Sequence, residues 1–230
     1  MNDNAIQRKR AGTRRVLIVD DDRDIRIALE ALLKSIGFDI ETFASAEDLI
    51  ERGNIEDAGC LVLDVRLTGQ SGLSLQSHLL KHKFEIPIVF ISGHADIPMA
   101  VRAIKSGAVE FLTKPVRSQD LIDAIHVAFA RDEERRARVV ASERTTTMYS
   151  TLTPRERDVM ALIVEGHGNK QAAFLLGISE PTVKAHRGQV MRKMSVQTLP
   201  DLVRLADELG LGKRNERTPT IVGGDHTDIQ

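Results

Sequence analysis

Carboxylates that follow short apolar runs are the residues of this chain best placed to do chemistry. The apolar run 61–63 leads into Asp64, and the run 16–19 leads into Asp20 and Asp21. A short apolar run is typical of a strand buried on both faces, so each acid is expected at the C-terminal end of its strand. In open α/β sheets that edge is where ligands bind.

Two further runs end in groups that complement carboxylates. Ser92 follows the apolar run 88–91, and Lys114 with Pro115 follows the run 109–113. If the strands are parallel neighbours, three carboxylates, a hydroxyl and an ammonium meet at one sheet edge. Clustered carboxylates repel one another when ionised, and a hard divalent cation with oxygen ligands, Mg²⁺ (or Mn²⁺), relieves that repulsion.

These groups suit phosphoryl transfer. With the metal ion present, Asp64 could attack phosphorus and form an aspartyl phosphate. Lys114 would supply positive charge to the phosphoryl oxygens, and Ser92 would donate a hydrogen bond to the bound group. The bond between Lys114 and Pro115 is a candidate cis peptide, which would aim the lysine side chain inward.

Alternating strand and helix patterns position these groups. Strands are predicted at 16–19, 39–43, 60–64, 86–91 and 109–113, and helices follow each of them, the last beginning at Ser118. Five such units predict an α/β fold with a parallel sheet and right-handed crossovers.

The composition changes after this region. We predict a basic flexible arm at 1–14, an α/β domain at 15–131, a charged linker at 132–150 that can be helical, an all-helical domain at 151–212 and a disordered tail at 213–230. No apolar stretch approaches the roughly 20 residues of a membrane span. The start lacks the apolar region of a secretory signal, and the single cysteine fits a reducing compartment. We therefore expect a cytoplasmic protein.

The second domain carries a helix-turn-helix pattern. Predicted helices at 169–176 and 180–194 are joined by the turn 177–179, which contains a glycine. Val183, Val190 and Met194 form one apolar stripe, so the basic residues of the second helix point elsewhere. Such a helix can enter the major groove of DNA by its N-terminal end. An ordinary amphipathic helix with a solvated face is the alternative, and charge alone favours it, because residues 151–212 carry eight basic and seven acidic residues.

The acids, Ser92 and Lys114-Pro115 together resemble the receiver domain of bacterial response regulators. The resemblance implies a flavodoxin-like fold of strand order 2-1-3-4-5 and phosphorylation of Asp64 by a sensor histidine kinase. It further implies a metal held by Asp21, Asp64 and the Arg66 backbone carbonyl, with Asp20 contributing through water. Ser92 and Phe111 would form the switch pair. Thr68 stands where this family usually has proline, which loosens the loop after Asp64.

The segments 152–156 and 178–187 resemble the four-helix DNA-binding domain of the LuxR/NarL type, in the FixJ branch of regulators. This resemblance implies that Lys184 and Ala185 face base edges, and that Thr182, Arg187 and Arg192 lie nearer phosphates. His186 and Lys193 complete the predicted DNA-binding set. The helix 199–209 would pair two DNA-bound copies.

The hypothesis is a phosphorylation-controlled transcription factor, an activator and not an enzyme. Its expected partners are a kinase, promoter DNA, RNA polymerase and a second copy. That copy would pair through the face of helix 97–106, strand 109–113 and the helix from Ser118. One alternative is an aspartyl-phosphate phosphatase or phosphotransferase acting on small molecules. Another is a receiver that works unphosphorylated as a constitutive dimer.

Overall fold

The computed structural model describes residues 14–93 and 97–211. The predicted tail, and the predicted basic arm apart from Arg14, lie outside the described residues. The chain divides into two compact units, one ending at Ala137 and the other beginning at Arg138. Among the described helices, none combines the length and the apolar character needed to cross a bilayer.

The first unit contains a parallel five-stranded sheet of order β2-β1-β3-β4-β5, which confirms the predicted topology. Its strands are β1 (Arg15–Val19), β2 (Asp39–Phe43), β3 (Cys60–Asp64), β4 (Ile88–Ser92) and β5 (Glu110–Thr113). The helices are α1 (Arg23–Ser35), α2 (Ala46–Arg52), α3 (Gly72–Lys81), α4 (Ile97–Lys105) and α5 (Ser118–Ser150). A short 3₁₀ turn, Ile55–Asp57, precedes β3 and was not predicted.

Both faces of the sheet are covered, which explains the unbroken apolar runs of the central strands. Leu17 and its neighbour in the sheet, Leu61, lie in the hydrophobic cluster on one face. Ile18 and Val62 lie in the cluster on the other face. Side chains alternate across a strand, so both faces can be apolar only when every strand position is apolar. Full burial of each such side chain contributes about 1.5–3 kcal/mol.

Helix α5 continues through the segment predicted as a charged linker. Asp132 is buried and accepts hydrogen bonds from the guanidinium groups of Arg135, at 2.6 Å, and Arg136, at 2.5 Å. Arg136 also donates to the backbone carbonyls of Glu56 and Ala58. Oppositely charged side chains three and four residues apart stabilise a helix, so the charges here favour helix over loop.

The second unit is helical throughout its described part. It contains the end of α5 and helices α6 (Pro154–Val164), α7 (Asn169–Leu176), α8 (Glu180–Lys193) and α9 (Leu199–Glu208). Thr153 caps α6 and forms a reciprocal capping box with Glu156. The helices enclose one hydrophobic core, to which Val159, Val183 and Leu202 contribute fully buried side chains.

Candidate metal centre and nucleic-acid interface

Three carboxylates meet at the C-terminal edge of the sheet. Asp64 is the last residue of β3, and Asp20 and Asp21 follow β1, its neighbour. One carboxylate oxygen from each lies within 4.8 Å of the other two. Asp20 and Asp64 are buried, whereas Asp21 is exposed. The parallel register brings together residues that are more than 40 positions apart in the chain.

Lys114 provides the positive charge inside this cluster. Its Nζ donates to Oδ2 of Asp20 at 2.7 Å and to Oδ2 of Asp64 at 2.5 Å. Burial raises the pKa of Asp20, and the hydrogen bond from Lys114 acts against that rise. Burial also acts to lower the pKa of Lys114, but the two carboxylates outweigh it and raise that pKa above its ordinary value. Lys114 is therefore an ammonium group. The peptide bond that joins it to Pro115 is cis.

The second oxygens of the two buried carboxylates are held by the backbone. Oδ1 of Asp20 accepts from the amide of Asp22 at 2.9 Å, and Oδ1 of Asp64 accepts from the amide of Arg66 at 3.0 Å. Asp22 itself caps α1 through its side chain. Both buried acids are thus held in a defined orientation, with one oxygen toward Lys114.

Thr68 connects the loop after β3 to the loop after β1. Its backbone amide donates to Oδ2 of Asp21 at 3.2 Å, and its hydroxyl donates to the same oxygen at 2.5 Å. The sequence predicts a loosened loop because threonine replaces proline here. Instead, two hydrogen bonds tie this loop to the exposed carboxylate of the cluster.

Ser92 and Phe111 lie on the strands next to the cluster. Ser92 is the last residue of β4 and is buried, and its carbonyl accepts from the amide of Lys114 at 2.8 Å. Phe111 lies on β5 beside Phe90 of β4, with the ring centroids 6.2 Å apart, and is half-buried. The structure therefore places Ser92 at the edge of the sheet that carries the acids, and Phe111 two residues before the C-terminal end of β5.

The donor set fits a hard cation. It consists of three carboxylates, all oxygen donors, of the type that Mg²⁺ and Mn²⁺ take in proteins. One ammonium neutralises only part of their charge. The cluster can therefore accept a divalent cation and, beside it, an anionic group that the ammonium of Lys114 can reach.

Helix α8 presents the predicted DNA-binding residues on its accessible side. Val183, Val190 and Met194 are fully buried, which confirms the predicted apolar stripe. Of the seven predicted residues, Thr182, Lys184, Ala185 and Arg192 are exposed, and His186 is half-buried. Arg187, also half-buried, donates to Oδ1 of Asn169 on α7 at 3.3 Å.

Lys193 has an internal partner that sequence reasoning did not anticipate. Its Nζ donates to Oε2 of Glu156 at 2.6 Å and to the carbonyl of Thr151 at 3.1 Å. The hydrogen bond from Lys193, together with the capping bonds, lowers the pKa of Glu156. Lys193 therefore joins α8 to the start of α6, whereas the sequence predicts it at the DNA.

Packing within the domain does not require glycine at position 188 of α8. A Cβ added to it would meet nothing within 4 Å, although glycine in a helix interior costs about 1 kcal/mol relative to alanine. It lies four residues after Lys184 and hence on the same face of the helix. An approach of another surface to this face would explain the glycine.

Comparison with known proteins agrees with both parts of this description. Residues 16–126 match the family of the response regulator receiver domain. Residues 150–206 match the bacterial regulatory proteins of the luxR family. The two matches cover the carboxylate cluster and helix α8 respectively.

Several relatives match this chain over most of its length and most of theirs. Nodulation protein W of Bradyrhizobium diazoefficiens is 45% identical over 196 residues, covering 85% of this chain and 86% of that protein. The transcriptional regulatory protein FixJ of Azorhizobium caulinodans is 37% identical over 205 residues, covering 89% and 97%. The solved structure of the response regulator StyR is 46% identical, with a TM-score of 0.73, and covers 84% of this chain and 98% of that one. The chain therefore belongs to the FixJ-like response regulators, transcriptional regulators that combine a receiver domain with a LuxR-type DNA-binding domain.

Proposed function

We propose that a sensor histidine kinase phosphorylates Asp64. The observation that carries this proposal is the ammonium of Lys114 bridging Asp20 and Asp64 beside the third carboxylate, Asp21. This arrangement places the carboxylate of Asp64 at the sheet edge, next to an ammonium group that can follow the incoming phosphoryl group.

The carboxylates of Asp20, Asp21 and Asp64, with the backbone carbonyl of Arg66, would hold Mg²⁺ or Mn²⁺. When bound, the ion supplies positive charge to the phosphoryl oxygens. The oxygen-only donor set and the excess of negative charge support this assignment.

In the proposed reaction, a carboxylate oxygen of Asp64 forms a bond to phosphorus. The bond between phosphorus and the kinase imidazole nitrogen breaks, and that nitrogen keeps the electron pair. Lys114 turns from the carboxylates to the phosphoryl oxygens, and the hydroxyl of Ser92 donates to them. The reaction transfers the group once and leaves it on the regulator.

The phosphoryl group would then shift the population of the receiver toward a pairing state. Ser92 moves toward the phosphoryl group, and the ring of Phe111 turns inward behind it. The face of α4, β5 and α5 changes with them and pairs with a second copy. This face carries exposed apolar side chains, of which Ile97, Val101 and Ile104 are 80%, 44% and 45% exposed, and an exposed apolar patch is typical of an interaction surface.

Pairing of receivers would allow two DNA-binding domains to reach two half-sites. We propose that the N-terminal end of α8 enters the major groove, with Lys184 and Ala185 at base edges. The remaining contacts of this set are Thr182, His186, Arg187 and Arg192. Lys193 is left out because its ammonium is already paired with Glu156. Helix α9 would join the two domains on DNA. Linking two weak contacts raises affinity without new interactions.

We further propose that the DNA-bound dimer activates transcription by contacting RNA polymerase. Since promoter DNA is the proposed target, we expect the protein to act in the cytoplasm. Phosphorylation can be tested with radiolabelled acetyl phosphate and Mg²⁺ on the full chain. Asp64→Asn should take up no label, whereas Asp39→Asn, at the opposite end of the sheet, should label like the wild type. Label on the Asp64 variant would disprove the assignment.

DNA binding can be tested separately by footprinting on a DNA fragment that the phosphorylated wild type selects from a library of random-sequence duplexes. The phosphorylated wild type should protect two half-sites, and Lys184→Ala should require a higher protein concentration for the same protection. Arg155→Ala, a change at an exposed basic residue of α6, serves as the matched control. Equal protection by the Lys184 variant and the wild type would reject α8 as the recognition helix.

A further inference from the structure

Thr68 takes no part in the bonds made and broken in the proposed phosphoryl transfer, yet it donates two hydrogen bonds to Asp21. Asp21 is the exposed member of the carboxylate cluster, and Thr68 is exposed on the loop between β3 and α3. The two residues are 47 positions apart in the chain. This contact orders two surface side chains that would otherwise be free to rotate. Ordering them costs conformational entropy, so a function of the contact would explain it.

Both donors of Thr68 bind the same carboxylate oxygen. The amide and the hydroxyl each donate to Oδ2 of Asp21. An ionised carboxylate has lone pairs on both oxygens, so Oδ1 stays available as a ligand while Oδ2 is held. The two buried acids also use their oxygens differently. In Asp20 and in Asp64, one oxygen accepts from a backbone amide and the other accepts from Lys114.

We propose that Thr68 is a positioning residue that raises the affinity of the site for a divalent cation by holding Asp21 in its ligating orientation. This inference rests on the proposed metal site. Hydrogen bonds to a ligating carboxylate fix its orientation, and their loss typically lowers metal affinity about 10- to 100-fold. A proline at this position, the usual residue of the receiver family, has neither an N–H nor a hydroxyl. The threonine therefore adds a support for Asp21 that proline cannot provide.

Affinity can be measured on the full chain by electron paramagnetic resonance, which counts free Mn²⁺ in a titration, with Mg²⁺ as the competitor. Thr68→Val removes the hydroxyl and keeps the shape of the side chain, and it should raise the dissociation constant about tenfold. Thr68→Ser retains both donors and should bind as the wild type does. Thr147→Val removes a hydroxyl that donates to a helix carbonyl in the second unit, and it should leave the titration unchanged.

A second measurement does not depend on metal. The Thr68 amide should be protected from hydrogen exchange in the metal-free protein, and Asp21→Asn should speed its exchange because the charged acceptor is lost. An amide that exchanges at the rate of an open loop in the wild type would show that the contact is absent in solution and would overturn the proposal.

The outcomes separate this inference from the proposed function. If the wild type binds no Mn²⁺, the metal site itself is wrong. If the wild type binds, Asp21→Asn weakens binding and Thr68→Val matches the wild type, the site stands and the role of Thr68 is wrong. Tighter binding by Thr68→Val would show that threonine competes with the cation for Asp21, which also overturns the proposal.

Discussion

Substituting Gly188 by alanine should make the DNA-binding domain more stable and a weaker binder of DNA. The residue lies in the interior of α8, is exposed, and has open space where a Cβ would be. Because the added methyl group meets no atom of the domain, the effect on stability comes from the backbone alone. Replacing glycine in an exposed helix interior is expected to raise the free energy of unfolding by about 1 kcal/mol. For a domain of this size, that corresponds to roughly 4–8 °C in Tm.

Unfolding of the DNA-binding domain can be followed by the fluorescence of a tyrosine that the chain already contains. It has one tyrosine, Tyr149, and no tryptophan. Tyr149 packs against the core of the second unit, with the guanidinium of Arg157 lying 5.1 Å from the ring centroid. Tyrosine fluorescence in a urea titration of the full chain therefore follows the unfolding of the DNA-binding domain. DNA affinity is measured in parallel by fluorescence anisotropy of a labelled promoter fragment.

Gly177→Ala is the matched control with the opposite sign. Gly177 ends α7 with a φ of 65° and also has open space at the Cβ position. The left-handed backbone disfavours a side chain by about 1 kcal/mol or more, so this variant should be less stable. If Gly188→Ala is no more stable than the wild type, the packing argument is wrong. If it is more stable and binds DNA equally well, no surface approaches α8 closely at this residue.

Three further predictions concern buried polar contacts of Glu156, Lys114 and Gln76. Lys193 lowers the pKa of Glu156, so the stability that this pair contributes is present above the ordinary value of 4.5 and is lost as pH falls through the lower folded-state pKa. In urea titrations at a series of pH values, Glu156→Gln should reduce that loss. Lys114→Met should lower the free energy of unfolding by about 2 kcal/mol or more, because Asp20 stays buried without its ammonium partner. Added Mg²⁺ should restore part of the lost stability, and unfolding followed by circular dichroism measures both effects. Gln76→Leu should cost about 1–3 kcal/mol and speed hydrogen exchange in α4, because the buried Gln76 amide donates to two carbonyls at the end of that helix. Exchange rates in α4 equal to those of the wild type would reject this role for Gln76.

Much of the fold could be predicted because its signals are local. Apolar runs define the strands, and Ser45, Thr153 and Ser179, which cap helices in the structure, are of residue types that favour this position. The acids after β1 and β3 could be placed at one sheet edge because parallel strands end on the same side. Helix α5 was harder to predict, because Arg136 also binds the backbone carbonyls of Glu56 and Ala58, which are 80 and 78 positions away in the chain.

The sequence by itself determined which residue types end the strands and which side of α8 is apolar, since strand ends and helical period follow from local patterns. Only the tertiary structure decided how the charges are shared. Lys114 bridges two carboxylates from different strands, Thr68 holds Asp21, and Lys193 is bound to Glu156 instead of facing outward. Each contact joins residues at least 37 positions apart. Distances of a few ångströms between such residues depend on strand register and helix packing, and these are properties of the assembled core that no local pattern contains.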